Sequence, residues 1–289
     1  MNPVTYTNTQ QGQARRVLPE LLSHRQLLMD LVWKELRVRY RYAVMGVAWA
    51  IVEPLLLMLV LTFVFSFVFQ IRFEGLTGEA DARTTALLIL SGLIAWQFFS
   101  IGVSTATTSL VENRSLITKV HFPREVIPLA SIGVALVNAV IGAVIFGLLY
   151  CVLLGHFPPL LIVFIPLIAL VHLLLVIGLA LLCSCLNAQF RDISYIVNAL
   201  LMFGFYATPI FYEPAFVNAR LAERGLESWY PALFINPLCG LITAYREILF
   251  YQQLPSWQLL AWPTVCAILV LGVGVKVFRS QSPTLADKL

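Results

Sequence analysis

Residues 37–42, "RVRYRY", place three arginines and two tyrosines within six positions. Arginine presents a planar fork of donors that binds phosphate oxygens in pairs. The set Arg37, Arg39, Tyr40 and Arg41 therefore suits a lipid head group that carries phosphate. The alternative is that these cations only anchor the chain to anionic lipid at a membrane surface.

A segment with several charged residues, 113–130 ("NRSLITKVHFPREVIPLA"), separates two long apolar runs. The core of this segment is long enough for about two or three helical turns, which Pro123 would end. A bare loop needs no apolar face, but this segment offers a small one made of Ser115, Leu116, Ile117 and Val120. An ordinary connector remains the alternative.

Glu53 is an acidic residue inside a long apolar run and directly precedes Pro54. A carboxylate at that depth in a membrane costs roughly 3 kcal/mol, so we expect it to face the protein interior or a cavity. One interpretation is that Glu53 lines a conduit. The other is that it makes a structural hydrogen bond that repairs the backbone near Pro54.

Large aromatic side chains recur within the apolar runs. Aromatic faces stack on sugar rings of many kinds, so a conduit lined by such rings would suit a glycan. Phenylalanine is also common on lipid-facing surfaces, and tryptophan and tyrosine are common at membrane interfaces. The candidate lining residues, beside Glu53, are Phe63, Phe67, Trp96, Phe99 and Tyr206.

Motifs for several kinds of chemistry are missing from the sequence. It contains no G-x-x-x-x-G-K-[ST] phosphate loop, no H-E-x-x-H zinc motif and no G-x-S-x-G nucleophile elbow. The few charges within the apolar runs do not form a relay of the kind that proton pumps use. We therefore expect no catalytic site, metal site or resident cofactor in this chain, and no simple ion transport.

The hydrophobic composition of the chain predicts the helices that position these residues. Of the 289 residues, 60% are hydrophobic and 12% are charged, with a mean hydropathy of +0.85. Soluble domains carry about 25% charged residues, so an all-α integral membrane protein is indicated. A transmembrane domain over 43–278 would contain six spans, at about 43–70, 85–111, 126–154, 159–186, 193–212 and 257–278.

Lysine and arginine are distributed unevenly between the loops. If the N-terminus is cytoplasmic, fourteen of these residues lie inside. Five lie outside: Arg72, Arg83, Arg220, Arg224 and Arg246. This bias predicts that both termini are on the cytoplasmic side.

The segments outside the spans have distinct patterns. Residues 1–22 are interpreted as a flexible cytoplasmic N-terminus, 23–42 as a basic amphipathic helix in the membrane interface, and 279–289 as a cytoplasmic tail. The outer region 213–256 contains a plausible N-cap at Asn236, followed by an apolar run too short to span. We expect short re-entrant helices there; the alternative is a helix lying flat on the bilayer.

Five stretches together resemble the ABC-2-type permeases that export polysaccharides. They occur in the order and at the spacing typical of that family and cover most of the chain. They are "YRYAVMGVAWAIVEPLL" (40–56), "SGLIAWQFF" (91–99), "NRSLITKVHFPREVIPLA" (113–130), "FRDISYIVNALLMFGFYATPIFY" (190–212) and "NPLCGLITAYREIL" (236–249).

The resemblance implies a division of labour between chains. Two copies of this chain would form the conduit, and two copies of a cytoplasmic partner subunit would bind ATP and Mg. The segment between spans two and three would be a coupling helix that docks into this partner. Its contact residues would be Asn113, Arg114, Ile117, Lys119, Phe122, Pro123, Arg124 and Glu125. Other expected partners are membrane lipids, with no nucleic acid.

The implied substrate is a polysaccharide linked to polyprenyl pyrophosphate, which would enter near Arg37–Arg41 and cross the bacterial inner membrane. O-antigen is the first choice, although capsule and teichoic acid permeases share these motifs. One alternative is an ABC-2 exporter of drugs or small lipids. A membrane enzyme of lipid-linked sugar metabolism fits less well, because only Asp192 lies on a short cytoplasmic loop; a secondary transporter would need internal repeats.

Overall fold

The computed structural model describes residues 24–41, 45–68, 81–119 and 122–285. Within these ranges every regular element is helical, and no strand occurs. The predicted flexible segment 1–22 lies outside them. The helices are α1 (Arg25–Tyr40), α2 (Trp49–Thr62), α3 (Ala82–Glu112), α4 (Arg114–Lys119), α5 (Val126–Leu154), α6 (Ile165–Gln189), α7 (Ile193–Ala207), α8 (Pro214–Ala222), α9 (Pro237–Phe250) and α10 (Trp257–Gln281).

Five of the six predicted spans are helices long and apolar enough to cross a membrane. They contain 20 to 31 residues, which corresponds to about 30–46 Å of helix against a hydrocarbon core of about 30 Å. The chain is therefore a multi-pass membrane protein. These segments are Trp49–Val68, Ala82–Glu112, Val126–Leu154, Leu160–Gln189 and Trp257–Gln281.

The sixth predicted span, 193–212, is only partly helical. Helix α7 has 15 residues, or about 22 Å, and ends at Ala207. Thr208 is extended (φ −97°, ψ 140°) because it precedes Pro209, which disfavours helical geometry at the residue before it. The chain then continues without a helix until Pro214, so this span is broken rather than continuous.

Region 213–256 contains three short helical elements, and two of them, Glu227–Ile235 and α9, meet at a bend of 95°. Asn236 caps α9 as predicted: its side-chain oxygen accepts a hydrogen bond from the Leu238 N–H at 3.1 Å. Ten of the fourteen residues of α9 are buried, and the helix packs on α3, α6 and α10. A helix lying flat on a bilayer would not be enclosed in this way, so the packing supports the re-entrant interpretation.

Contacts between helix termini define the two opposite ends of the bundle. At one end, the last turns of α3, α6 and α10 pack together through Leu110, Cys185 and Phe278, with α4 beneath them. At the other end, the Tyr150 hydroxyl of α5 donates to the Leu249 carbonyl of α9 at 3.0 Å. Helix α5 therefore runs antiparallel to α3, α6 and α10.

Two glycines bring α6 and α10 into direct backbone contact. A Cβ added at Gly274 would lie 2.3 Å from the Gly178 carbonyl oxygen, and one at Gly178 would lie 2.5 Å from the Leu271 nitrogen. The tail predicted for 279–289 begins later than expected, because α10 continues to Gln281. Leu285 is fully buried beside α4, so the tail is packed against the bundle up to that residue.

Candidate functional site

Helix α1 is docked on the protein rather than held by lipid alone. Leu31 and Val32 are buried against α5, where Gly133 leaves room for the Val32 side chain. Three polar contacts accompany this packing, each at 3.3 Å. Lys34 Nζ donates to Asn113 Oδ1, the Ser131 hydroxyl donates to Glu35 Oε1, and the Tyr40 hydroxyl donates to Asn138 Oδ1.

The docking of α1 changes the electrostatic environment of Glu35. Burial raises the pKa of this carboxyl above its usual value, while the hydrogen bond from Ser131 works in the opposite direction. Glu112 nearby adds to the increase in the pKa of Glu35. The contact between α1 and α5 therefore favours a proton on Glu35.

An open groove of about 1010 Å³ lies between α1 and α5, and we call it the basic groove. Arg37 and Arg41 line it as cations, one helical turn apart. Val137 and Ile141 supply an apolar wall on the α5 side. The groove thus combines phosphate-binding groups with a surface suited to a hydrocarbon chain. Its further lining includes Trp33, Tyr40 and Asn138.

Arg39, the third predicted arginine, lines a different space. It borders a cavity of about 210 Å³ between α1, α2, α3 and α5, which we call the polar cavity. The predicted residue Glu53 lines this cavity too, so the structure brings together two residues that the sequence assigned to separate roles. The remaining wall is formed by Tyr40, Trp49, Ala50, Gln97, Ile101 and Asn138.

The aromatic residues predicted to line a conduit separate into two groups. Phe63 and Phe67, in the π-helical turn Phe63–Val68 that follows α2, are 57% and 62% exposed, and Tyr206 on α7 is 62% exposed. Trp96 is only 6% exposed and packs against Phe205 and Phe99, inside the protomer. The first three rings are therefore at the surface of the described chain, whereas Trp96 belongs to its interior.

Helix α4 presents two different faces. Ile117 is only 5% exposed and packs in the cluster that joins α3, α6 and α10, so its side chain is not offered to a partner. Arg114, Ser115, Thr118 and Lys119 are exposed. Asn113 ends α3 by donating its amide to the Ser109 carbonyl at 2.9 Å.

The rest of the predicted coupling segment, Phe122 to Glu125, is half-buried. The guanidinium of Arg124 donates to the Ser282 carbonyl, which ties this segment to the end of α10. Phe122 packs against both α1 and the cluster around Ile117. Val120 and His121 lie outside the described residues.

Arg246, which the sequence analysis placed among the outer charges, is inside the protein and only 2% exposed. Its Nη1 donates to the Tyr212 carbonyl at 2.9 Å, and its Nη2 donates to the carbonyls of Ile210 and Leu88 at 2.6 and 3.2 Å. Two of these carbonyls belong to the non-helical continuation of α7. Arg246 thus replaces the backbone hydrogen bonds that the broken span lacks.

Comparison with known proteins places this arrangement in a family. Residues 26–250, from α1 to the end of α9, match the ABC-2 type transporter family. The chain belongs to this family. The match includes α4, the broken α7 and both cavities beside α1, so these features lie within the ABC-2 domain.

Individual relatives of this ABC-2 chain are similar over nearly their whole length. It is 28% identical to the O-antigen export system permease protein RfbA of Myxococcus xanthus, over 95% of this chain and 99% of that protein. Two permeases of the same name from Klebsiella pneumoniae are each 28% identical, over 91% of this chain and 95% of theirs.

Sequence reasoning about this ABC-2 chain missed the three other polar or aromatic members of the polar cavity. Trp49, Gln97 and Asn138 were not singled out, although Gln97 and Asn138 are isolated carboxamides within apolar runs. A lone carboxamide in a span is itself a signal, because it is costly without a hydrogen-bond partner. Helical spacing also separates Arg39 from the face shared by Arg37 and Arg41.

Proposed function

We propose that this chain is the membrane permease subunit of an ATP-driven exporter of lipid-linked polysaccharide, with O-antigen as the first choice of substrate. The observation that carries the proposal is similarity along nearly the whole chain to proteins named as O-antigen export permeases. Membership in the ABC-2 type transporter family supports the transport role independently.

The basic groove supports a substrate that combines phosphate with hydrocarbon. Arg37 and Arg41 would bind the pyrophosphate through charge-assisted hydrogen bonds. Val137 and Ile141 would contact the first isoprene units, which stay in the apolar part of the membrane. Tyr40, at the groove's inner wall, would lie beside the pyrophosphate.

The orientation of the chain in the membrane is inferred from the helices and charged residues at each end of the bundle. Helices α1 and α4 and the last turns of α3, α6 and α10 lie at the same end. This end carries most of the Lys and Arg residues, so we assign it to the cytoplasm. Because Arg246 is buried, the outer side keeps four of its five predicted cations, and the bias becomes stronger.

The partner subunit would contact the exposed face of α4. Arg114 and Lys119 would make ion pairs with it, and the partner would hold ATP and Mg. Ile117 would act within this chain: its packing against Leu110 and Phe278 would pass movement of α4 to the ends of α3 and α10. This assignment revises the predicted role of Ile117 from docking to transmission.

A second copy of the chain would complete the conduit. The exposed rings Phe63, Phe67 and Tyr206 would face the glycan between the two copies in the bacterial inner membrane. An ABC-2 exporter of another lipid-linked glycan, such as capsule or teichoic acid, is the second candidate. The basic groove fits it equally, because the groove contacts the lipid carrier and not the polymer.

The experiment is affinity purification of the tagged full-length chain from its own cells in mild detergent. We expect an ATP-binding subunit to co-purify at a 1:1 ratio, and the complex to hydrolyse ATP. Double charge reversal, Arg114→Glu with Lys119→Glu, should remove the partner. Purification of the wild-type chain without any ATPase would refute the proposal.

A further inference from the structure

We propose that the polar cavity is a binding site for the sugar directly attached to the pyrophosphate. Arg39, Tyr40, Trp49, Glu53, Gln97 and Asn138 would form it. This inference rests on the proposed function and adds a substrate group, the first pyranose ring, that the basic groove does not hold.

The cavity is large enough for more than ordered water. Its volume of about 210 Å³ greatly exceeds the roughly 10–15 Å³ that a single water requires by the same kind of measure. It lies where α2 and α3 meet α1 and α5. Four helices therefore border an open space that their apolar side chains leave unfilled, and its lining residues Arg39, Trp49 and Glu53 are exposed.

Two polar side chains that line this space, the half-buried Gln97 and the exposed Glu53, make no hydrogen bond among the described residues. Gln97 is fifteen residues from each end of α3, so it is about 22 Å from either end. A carboxamide at that depth is costly unless a ligand or water supplies hydrogen bonds. Such groups are therefore expected to serve a substrate.

The types of polar group define the ligand class. Gln97 and Asn138 each offer a donor and an acceptor, and the Glu53 carboxylate accepts from hydroxyl groups. Trp49 and Tyr40 add rings on which a pyranose can stack. A divalent cation is a poor fit, because no cluster of three metal-binding side chains occurs in the described part of the chain. A hydroxyl-rich ring satisfies all of these groups together.

The two cavities are arranged in the order of the substrate's chemical groups. Tyr40 and Asn138 line both of them, and the hydrogen bond between these residues lies at the boundary. A pyrophosphate held by Arg37 and Arg41 would leave its first sugar beyond Tyr40, in the polar cavity. Arg39 is placed to contact the sugar-side phosphate from within that cavity.

The test compares two lipids on the purified complex of this chain with its ATP-binding subunit. One lipid is undecaprenyl pyrophosphate, and the other is the same lipid carrying one N-acetylglucosamine. Binding is measured in nanodiscs for the wild type, Gln97→Leu, Asn138→Leu and Arg41→Gln. Gln258→Leu, an exposed carboxamide at the start of α10, is the matched control.

We expect the wild type and Gln258→Leu to bind the sugar-bearing lipid more tightly than the bare lipid. Gln97→Leu should weaken sugar-lipid binding about 5- to 10-fold, the size expected for one lost hydrogen bond, with bare-lipid binding unchanged. Asn138 lines both the basic groove and the polar cavity, so Asn138→Leu should weaken the binding of both lipids. Unchanged bare-lipid binding also shows that Gln97→Leu is folded. Arg41→Gln should weaken both lipids equally.

Three results would overturn the inference in different ways. If the wild type binds both lipids equally and Gln97→Leu changes neither, the polar cavity holds no sugar, while the proposed function stands. If the wild type binds neither lipid, the proposed function itself fails. Loss of bare-lipid binding in Gln97→Leu would also contradict the assignment, because it would place the pyrophosphate in the polar cavity.

Discussion

The Lys34 ammonium donates a hydrogen bond to the side-chain oxygen of Asn113 across 3.3 Å. This contact joins α1, which lines the basic groove, to the residue that directly precedes α4. Leu116 and Phe122 also pack against the apolar cluster that Leu31 and Val32 form with α5. The proposed substrate-binding helix is thus linked to the proposed coupling helix through Asn113 and this cluster, so a change in one can alter the other.

The exposed cations of α4 should be needed for the partner but not for folding. We predict that Arg114→Glu combined with Lys119→Glu abolishes substrate-stimulated ATP hydrolysis by the complex, because both side chains are exposed and face outward. The thermal midpoint of the purified chain should stay within about 2 °C, as is usual for surface changes. Arg224→Glu, an exposed cation in the outer region, should leave hydrolysis unchanged.

Ile117 should act through packing. We predict that Ile117→Ala lowers the free energy of unfolding by about 2–5 kcal/mol, because it opens a cavity among Leu110, Leu181 and Phe278. Ile196→Ala, at a position that is 52% exposed on α7, is the matched control and should have a much smaller effect. Denaturant titration in detergent measures both. Equal effects would mean that Ile117 is not part of the core.

Arg246 should hold the broken span in place. We predict that Arg246→Met leaves the carbonyls of Ile210 and Tyr212 without this donor, at a cost of about 1–3 kcal/mol for each buried group. The Leu88 carbonyl also loses Arg246 but keeps the hydroxyl of Ser91 as a donor. The thermal midpoint should fall strongly, and Arg246→Lys should recover only part of the loss. Arg224→Met controls for the loss of an arginine. An unchanged midpoint in Arg246→Met would contradict the role.

Close packing of α6 on α10 gives a prediction with an internal control. Gly274→Ala would place a Cβ 2.3 Å from the Gly178 carbonyl oxygen and should cost about 1–3 kcal/mol of stability. Gly272→Ala, two residues earlier on α10, meets no atom within 4 Å and should be neutral or stabilising. If both variants melt at the same temperature, α6 and α10 do not cross at Gly178 and Gly274.

The raised pKa of Glu35 predicts that the stability of the chain depends on pH. Its pKa is raised by burial, so the folded state holds the proton more tightly than the unfolded state, and this contribution to stability is lost as the pH rises through the folded pKa. Glu35→Gln should therefore be more stable than the wild type at pH 8, with a difference that shrinks toward about pH 4. A difference that grows as the pH falls would mean that the pKa is lowered.

Hydropathy predicts the five long spans because each needs about 20 apolar residues, and that requirement is visible in the sequence alone. The end of the sixth is not visible in this way. Residues 208–212 are mostly apolar, like the long spans, but they are not helical. Their backbone carbonyls at Ile210 and Tyr212 accept hydrogen bonds from Arg246, which is 36 positions away from Ile210. A local pattern does not report a hydrogen bond made at that distance along the chain.

Residue type alone predicts that some candidate site residues lie together, whereas packing decides where others lie. Arg37, Tyr40 and Arg41 follow from phosphate chemistry, and they line one groove. The inward direction of Ile117 and the burial of Trp96 depend on neighbours contributed by other helices. That Glu53 and Gln97 line one cavity depends likewise on how α2 meets α3.

The measurement that tests the central claim most directly is the location of the cell's O-antigen when this chain is deleted. We predict that the polymer disappears from the surface and accumulates on its lipid carrier inside the cell. The wild-type chain should restore it, whereas the Arg114→Glu and Lys119→Glu double variant should not. Normal surface O-antigen in the deletion strain would contradict the account.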